Sequence, residues 1–262
     1  MLDDRGGEED GFWKNLTNRD KRVRYAAMEK GTLLGAKRNA GVVEAVGSVV
    51  VHFDDDDVYA PHYVATVVHP VAFGGCDISK LSAWLVYDER SGAAAYADYD
   101  ARALKDAPPS LAPLLERGRD SYGFCFCYRR AYAARHPFPE VGFGEDATFL
   151  QDALRRDAKS VCYLRDAGAA VLHVQHGANA SRSVALASCS RAFLDASPLS
   201  PLAGALKSAE DPSTRGLFVV DAERETGGAG GTAGDDGALQ ALLDWVSSDA
   251  GFAPDRRRKL GL

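Results

Sequence analysis

The sequence predicts an α/β fold, a mostly parallel open sheet flanked by helices, and three observations carry this. Ser48-Val49-Val50-Val51-His52-Phe53 is a β-branched apolar run with the character of a strand buried on both faces. It follows a segment over residues 36–45 that reads as a helix, with Val42, Val43 and Ala45 apolar and Gly47 as its C-terminal stop. It ends abruptly in Asp54, Asp55, Asp56 and Asp57. Strand, helix and strand, with acids at the carboxyl end of the second strand, is the layout of an open α/β sheet, and ligands bind in the crevice beyond those ends.

In chain order, a polar stretch runs to about Lys21, and residues 23–28 read as a short strand. A loop over residues 31–35 leads into the helix and the acid-tipped strand. Tyr59-Ala60-Pro61 then starts another helical segment, with Pro61 suited to a first turn. Trp84-Leu85-Val86-Tyr87 and Ala94-Ala95-Tyr96 look like two strands around a turn at Arg90-Ser91-Gly92. Residues 106–110 form a Pro-containing loop. Gly123-Phe124-Cys125-Phe126-Cys127-Tyr128 is an apolar strand, with a helix from about Arg130. The loop over residues 138–144 delivers Glu145 and Asp146 to the start of a helix reaching Arg155. A last strand over residues 169–174 ends at His176-Gly177.

These elements group into a domain over residues 1–190, with halves at about 1–70 and 71–190, and an extension over residues 191–262. The extension holds a Gly-rich linker at about 225–237, helical apolar spacing over residues 239–246, and a basic cluster over residues 256–259.

Composition narrows the function. A 46% hydrophobic share supports a sizeable core, and a net charge of −6 argues against nucleic-acid partners, which require a basic face. No stretch approaches the roughly 18 apolar residues of a membrane span. Asp3, Asp4, Glu8, Glu9 and Asp10 make the start too acidic for a signal peptide. Five cysteines are an odd number, and Cys125 and Cys127 read as small buried hydrophobes. A reducing, cytoplasmic setting is therefore expected, or a membrane-associated or Golgi one should an anchor lie upstream.

Four constellations bear on chemistry. Four carboxylates crowded at a strand end repel one another, and a cation relieves this. The run is not an EF-hand, since it lacks that loop's glycine and closing Glu. Gly35-Ala36-Lys37-Arg38-Asn39 sits at a loop-to-helix junction and could hold a base or phosphate, or could simply be an exposed basic helix start. Gly144-Glu145-Asp146 offers either a helix cap or a general base. His176, like His173 at the end of a strand, is placed to join carboxylates around a metal.

Together these pieces resemble the family 2 glycosyltransferases of the GT-A fold. Gly35-Ala36-Lys37-Arg38-Asn39, Ala45-Val46-Gly47 and residues 51–61 are similar to that family's nucleotide-binding half. Tyr128-Arg129-Arg130, Phe138-Pro139 and Gly144-Glu145-Asp146 are similar to its acceptor half. Leu2-Asp3-Asp4 looks like the end of the family's second strand, which would leave its first strand and helix outside this chain. The likeness covers about residues 2–183.

The resemblance implies inverting transfer of a sugar from a nucleoside diphosphate, UDP foremost, to a saccharide, lipid or protein hydroxyl. It implies a Mn²⁺ or Mg²⁺ cofactor on Asp54 and Asp56, with His176 a candidate third ligand. Asp3, Asp4, Lys37, Arg38, Asn39, Asp54 and Asp55 would face the nucleotide. Asp146 would be the general base and Glu145 its support. Two other readings compete: a non-catalytic descendant that binds nucleotide or protein without turnover, and a metal-dependent nucleotidyltransferase, in which Gly144-Glu145-Asp146 has no clear task.

Overall fold

The computed structural model describes residues 2–3, 10–100, 112–166, 169–176, 179 and 187–189. Asp4, Gly177, the loop over residues 106–110 and the whole extension over residues 191–262, with its linker and apolar segment, lie outside the described residues.

The elements in chain order are β1 (Leu2–Asp3), α1 (Asp10–Arg19), β2 (Ala26–Ala27), α2 (Leu34–Glu44), β3 (Val49–Val51), β4 (Val58–Tyr59) and α3 (Tyr63–Phe73). There follow β5 (Ile78–Asp88), β6 (Ala94–Asp98), α4 (Ala112–Asp120), β7 (Phe126–Arg129), α5 (Arg130–Arg135), α6 (Glu145–Arg156), β8 (Val161–Arg165), β9 (Val171–Gln175) and β10 (Ala187–Cys189). Short 3₁₀ turns at Gly123–Cys125 and Ala158–Ser160 precede β7 and β8.

The expected α/β class and the open sheet flanked by helices are present, but where a mostly parallel sheet was expected, five of the seven described pairings in it are antiparallel. β5 is its spine. The first half of β5 pairs antiparallel with β7 and parallel with β8. Its second half pairs antiparallel with β6, as the hairpin requires, and parallel with β9. β3 lies outside β7, and β10 outside β6. β1 and β2 form a separate two-stranded parallel sheet, with Asp3 opposite Ala27.

The helix α3 shows how the core is built. Tyr63, Val67 and Val71 recur every four residues, so they share one face. That face packs into a cluster with Trp84, Tyr99, Phe124 and Cys127. A second cluster joins α2, α5 and α6 to the sheet through Val42, Tyr132, Phe138, Phe149 and Leu150, with the Phe138 and Phe149 rings stacked 4.0 Å apart. Each such buried aromatic or aliphatic side chain contributes about 1.5–3 kcal/mol.

Cys125 and Cys127 are buried free thiols, as the sequence suggests. Cys76 and Cys162 correct the expectation of reduced cysteines, since they are joined in a disulfide. The register explains the pairing: Cys76 lies two residues before the start of β5, and Cys162 on β8 stands opposite Ser79 of β5. The two Cα atoms are thereby held 6.0 Å apart, within disulfide reach.

Candidate active site

The acid run is shaped by β4, the short strand at its C-terminal end. Val58 and Tyr59 pair antiparallel with Leu172 and Val171, which pins the end of the run alongside β9. Asp57 is consequently drawn inward, its side chain fully buried. Its Oδ1 accepts hydrogen bonds from His173 Nδ1 at 2.8 Å and from the Val174 N–H at 3.0 Å. Its Oδ2 is buried with no hydrogen-bond partner. A buried carboxylate oxygen without a partner is costly, and a bound cation would relieve that cost.

Asp54 and Asp56 complete the cluster. One ligand atom from each of Asp54, Asp56 and Asp57 lies within 4.8 Å of the others. Three carboxylates at that spacing, one with an orphaned buried oxygen, fit a hard divalent cation. Asp54 reaches solvent, yet the protein packed beneath it strips water from its carboxylate. That desolvation, opposed by Arg38 and reinforced by Asp57 and Asp56, raises its pKa to about 6. Two tyrosines brace the loop from below. The Asp54 N–H donates to Tyr59 Oη at 2.9 Å, and the Tyr63 hydroxyl donates to the His52 carbonyl at 3.1 Å.

His176 stands beside the cluster, its Nε2 3.0 Å from Asp56 Oδ2. Asn179 Nδ2 donates to the same oxygen at 3.3 Å. Asp55 is exposed in the turn. Asp57 entered the sequence reading only as one of four crowded carboxylates, because the strand pairing that turns it inward cannot be read from four successive acids.

The second half of the site is the start of α6. Gly144 occupies the left-handed region at φ 78°, a conformation open to glycine without strain, and delivers Glu145 and Asp146 into the helix. Asp146 Oδ2 accepts from the Gly123 N–H at 2.7 Å, and its Oδ1 from the Ala147 N–H at 2.7 Å. Glu145 is buried and paired with Arg38, Nε to Oε1, at 2.8 Å.

The residues of α2 also turn toward this second half. Asn39 makes a two-way amide clamp on Phe138, donating to its carbonyl at 2.9 Å and accepting from its N–H at 2.8 Å. Gly35 lies so close to the 138–141 loop that a Cβ there would sit 1.8 Å from the Pro139 carbonyl oxygen. Arg38 also reaches His52, Nη1 to Nδ1 at 2.6 Å. Burial and Arg38 together lower the His52 pKa to about 3, so the ring is neutral. His52 Nδ1 lies between the Arg38 guanidinium and the Gly123 carbonyl, 2.9 Å away, and its Nε2 is 2.8 Å from the Tyr128 hydroxyl. Lys37 is half-buried on the same turn. Of the other candidates, Asp3 closes β1, and Asp4 lies outside the described residues.

A model of the glycosyl transferase family 2 matches residues 4–136, just over half of the chain, and the protein belongs to that family. Among solved structures, glucosyl-3-phosphoglycerate synthase from Mycobacterium tuberculosis, in complex with Mn²⁺, UDP-glucose and glycerol 3-phosphate, is similar at 16% identity with a TM-score of 0.38. That match covers 58% of this chain and 53% of that one. TarS 1-349 from S. aureus in complex with UDP-GlcNAc is similar at 15% identity with a TM-score of 0.47, covering 70% of this chain and 52% of that one. The chain thus spans little more than half the length of these structures. No curated protein matches it. Among the described residues, no helix is long and apolar enough to cross a membrane.

Proposed function

We propose that this chain carries a domain that transfers a sugar from a nucleoside diphosphate, UDP foremost, to a saccharide, lipid or protein hydroxyl with inversion. One observation carries the reading: Asp57 Oδ2 is buried and unpartnered within a cluster of three carboxylates. Asp54, Asp56 and Asp57 would hold Mn²⁺ or Mg²⁺, with His176 and Asn179 orienting Asp56. When bound there, the cation supplies Lewis-acid stabilisation of the diphosphate leaving group.

Asp146 would accept the acceptor proton, held in place by the Gly123 N–H. A single base and attack from the face opposite the leaving group give inversion, and such a base is worth about 10²- to 10⁴-fold in rate. Asp3, Asp4, Lys37 and Asp55 would face the nucleotide. Arg38 and Asn39, whose polar groups are spent on Glu145, His52 and Phe138, would shape the pocket's wall. The Cys76–Cys162 disulfide favours an oxidising compartment.

The test is turnover of a UDP-sugar panel with Mn²⁺ and mixed acceptors, read as UDP release. Asp146→Asn should abolish transfer and spare UDP binding. Equal loss of binding and turnover in that variant would remove Asp146 from the role of base.

A further inference from the structure

The buried ion pair between Arg38 and Glu145 is not explained by stability alone. Removing two charges from water costs several kcal/mol per ion, and apolar replacements of similar volume often serve the fold as well. Its place between the two halves of the site gives it another purpose. From the donor side, Arg38 Nη1 bonds His52, two residues before Asp54 on the same strand end. From the acceptor side, Arg38 Nε bonds Glu145, the neighbour of Asp146. The guanidinium also lies 5.8 Å over the Phe138 ring, on the loop that leads to Gly144.

Gly123 completes the link. A Cβ there would sit 2.5 Å from Arg38 Nη2, so the guanidinium occupies the space that a side chain would take. The same residue donates its N–H to Asp146. One planar cation therefore touches the strand end carrying the acid cluster, the first turn of α6, and the residue that holds the carboxylate of Asp146. Five donors in a fixed fork suit this task, and a lysine would not reproduce it.

We infer that Arg38 is a positioning residue, a strut that sets the reach from Asp146 to the Asp54–Asp56–Asp57 cluster. This rests on the proposed donor site and on Asp146 as the base. Misplacing reacting groups by about 1 Å costs about 10²-fold in rate, so the strut acts on turnover rather than on donor affinity.

The test uses the double variant Arg38→Met with Glu145→Gln, which removes both buried charges together, and the single variant Arg38→Lys, which keeps the charge and loses the fork. Two readouts are taken on each. The first is amide hydrogen exchange. In the double variant, the Gly123 amide and the first turn of α6 should exchange at least about 10-fold faster, with β5 and β6 unchanged. Unchanged exchange at Gly123 overturns the strut, whether or not the wild type turns over. The second is kinetic: kcat should fall about 10²-fold in both variants, with Mn²⁺-dependent UDP affinity within about threefold of wild type. A parallel loss of UDP affinity would instead make Arg38 a donor ligand, and an unchanged kcat would make the pair mere packing; either overturns the inference. A wild type that binds no UDP would sink the donor-site reading, and the exchange experiment would still decide the strut.

Discussion

Replacing Asp57 with asparagine separates a cation site from a merely crowded acidic turn. An asparagine at this position can keep an oxygen where Oδ1 accepts from His173 and Val174, so the local hydrogen bonds survive. At the Oδ2 position it places an amide, which cannot ligate a cation. Without metal, the change removes repulsion between Asp57 and the neighbouring carboxylates, whose atoms lie within 4.8 Å, about 3 kcal/mol per pair at an effective dielectric of about 20. The weakened bond from His173 offsets about 1 kcal/mol of that. The metal-free melting temperature should therefore stay at or above that of wild type.

With metal the outcomes diverge. At a free Mn²⁺ concentration of about 100 times Kd, a site specific to the folded state stabilises it by about 2.7 kcal/mol. For a domain of this size that is about 5–11 °C. Even a residue behind the ligand shell costs about 10- to 100-fold in metal affinity when lost, so loss of a direct carboxylate belongs at the upper end. A 100-fold weaker site leaves about 0.4 kcal/mol, or about 1–2 °C. Scanning calorimetry with EDTA, and then with excess Mn²⁺, reads both quantities. A variant that keeps the wild-type Mn²⁺ shift would refute the assignment of Asp57, and so would a metal-free variant that collapses.

Further outcomes come from the packing. Gly35→Ala forces a Cβ against the Pro139 carbonyl and should cost about 1–3 kcal/mol in urea unfolding; an unchanged midpoint would contradict the tight seam between α2 and the loop. Reduction of the Cys76–Cys162 disulfide, which spans a separation of 86 residues, should lower the unfolding free energy by about 2–4 kcal/mol, and alkylation of the unfolded, unreduced chain should leave Cys76 and Cys162 unmodified; labelling of both would rule the bond out. Lys80 is wholly buried on β5, and desolvation lowers its pKa below the usual 10.5. The unfolded chain therefore binds more protons than the folded one between those two values, so stability rises with pH through that window. Lys80→Met should remove this slope in urea midpoints measured from neutral to alkaline pH, and equal slopes would contradict it.

The site was legible where chemistry and an apolar strand coincide. The β3 run with its acids, and the glycine before Glu145 and Asp146, each announce a strand or helix end. The spine itself was half hidden, because Ser79, Lys80 and Ser82 are polar yet buried, so the start of β5 does not look like a strand. β8 was missed although four of its five residues, Val161, Cys162, Tyr163 and Leu164, are apolar, because so short a run follows α6 with only a 3₁₀ turn between them. The 123–128 strand divides into a 3₁₀ turn and β7, since Tyr122 is held at φ 68° against Trp84 and the chain must turn before it can pair. What no local pattern could disclose is pairing across the fold: Arg38 with Glu145, Asp57 with His173, and Cys76 with Cys162 are each joined by strand or helix neighbours far apart in the chain.

The central claim, that the acid cluster is a metal-dependent donor site, is tested most directly by calorimetric titration with UDP, with and without Mn²⁺, using GDP and ATP as controls. The account predicts UDP binding that requires Mn²⁺ and vanishes in Asp56→Ala. UDP binding of equal strength in EDTA, or no binding by a folded protein, would contradict it.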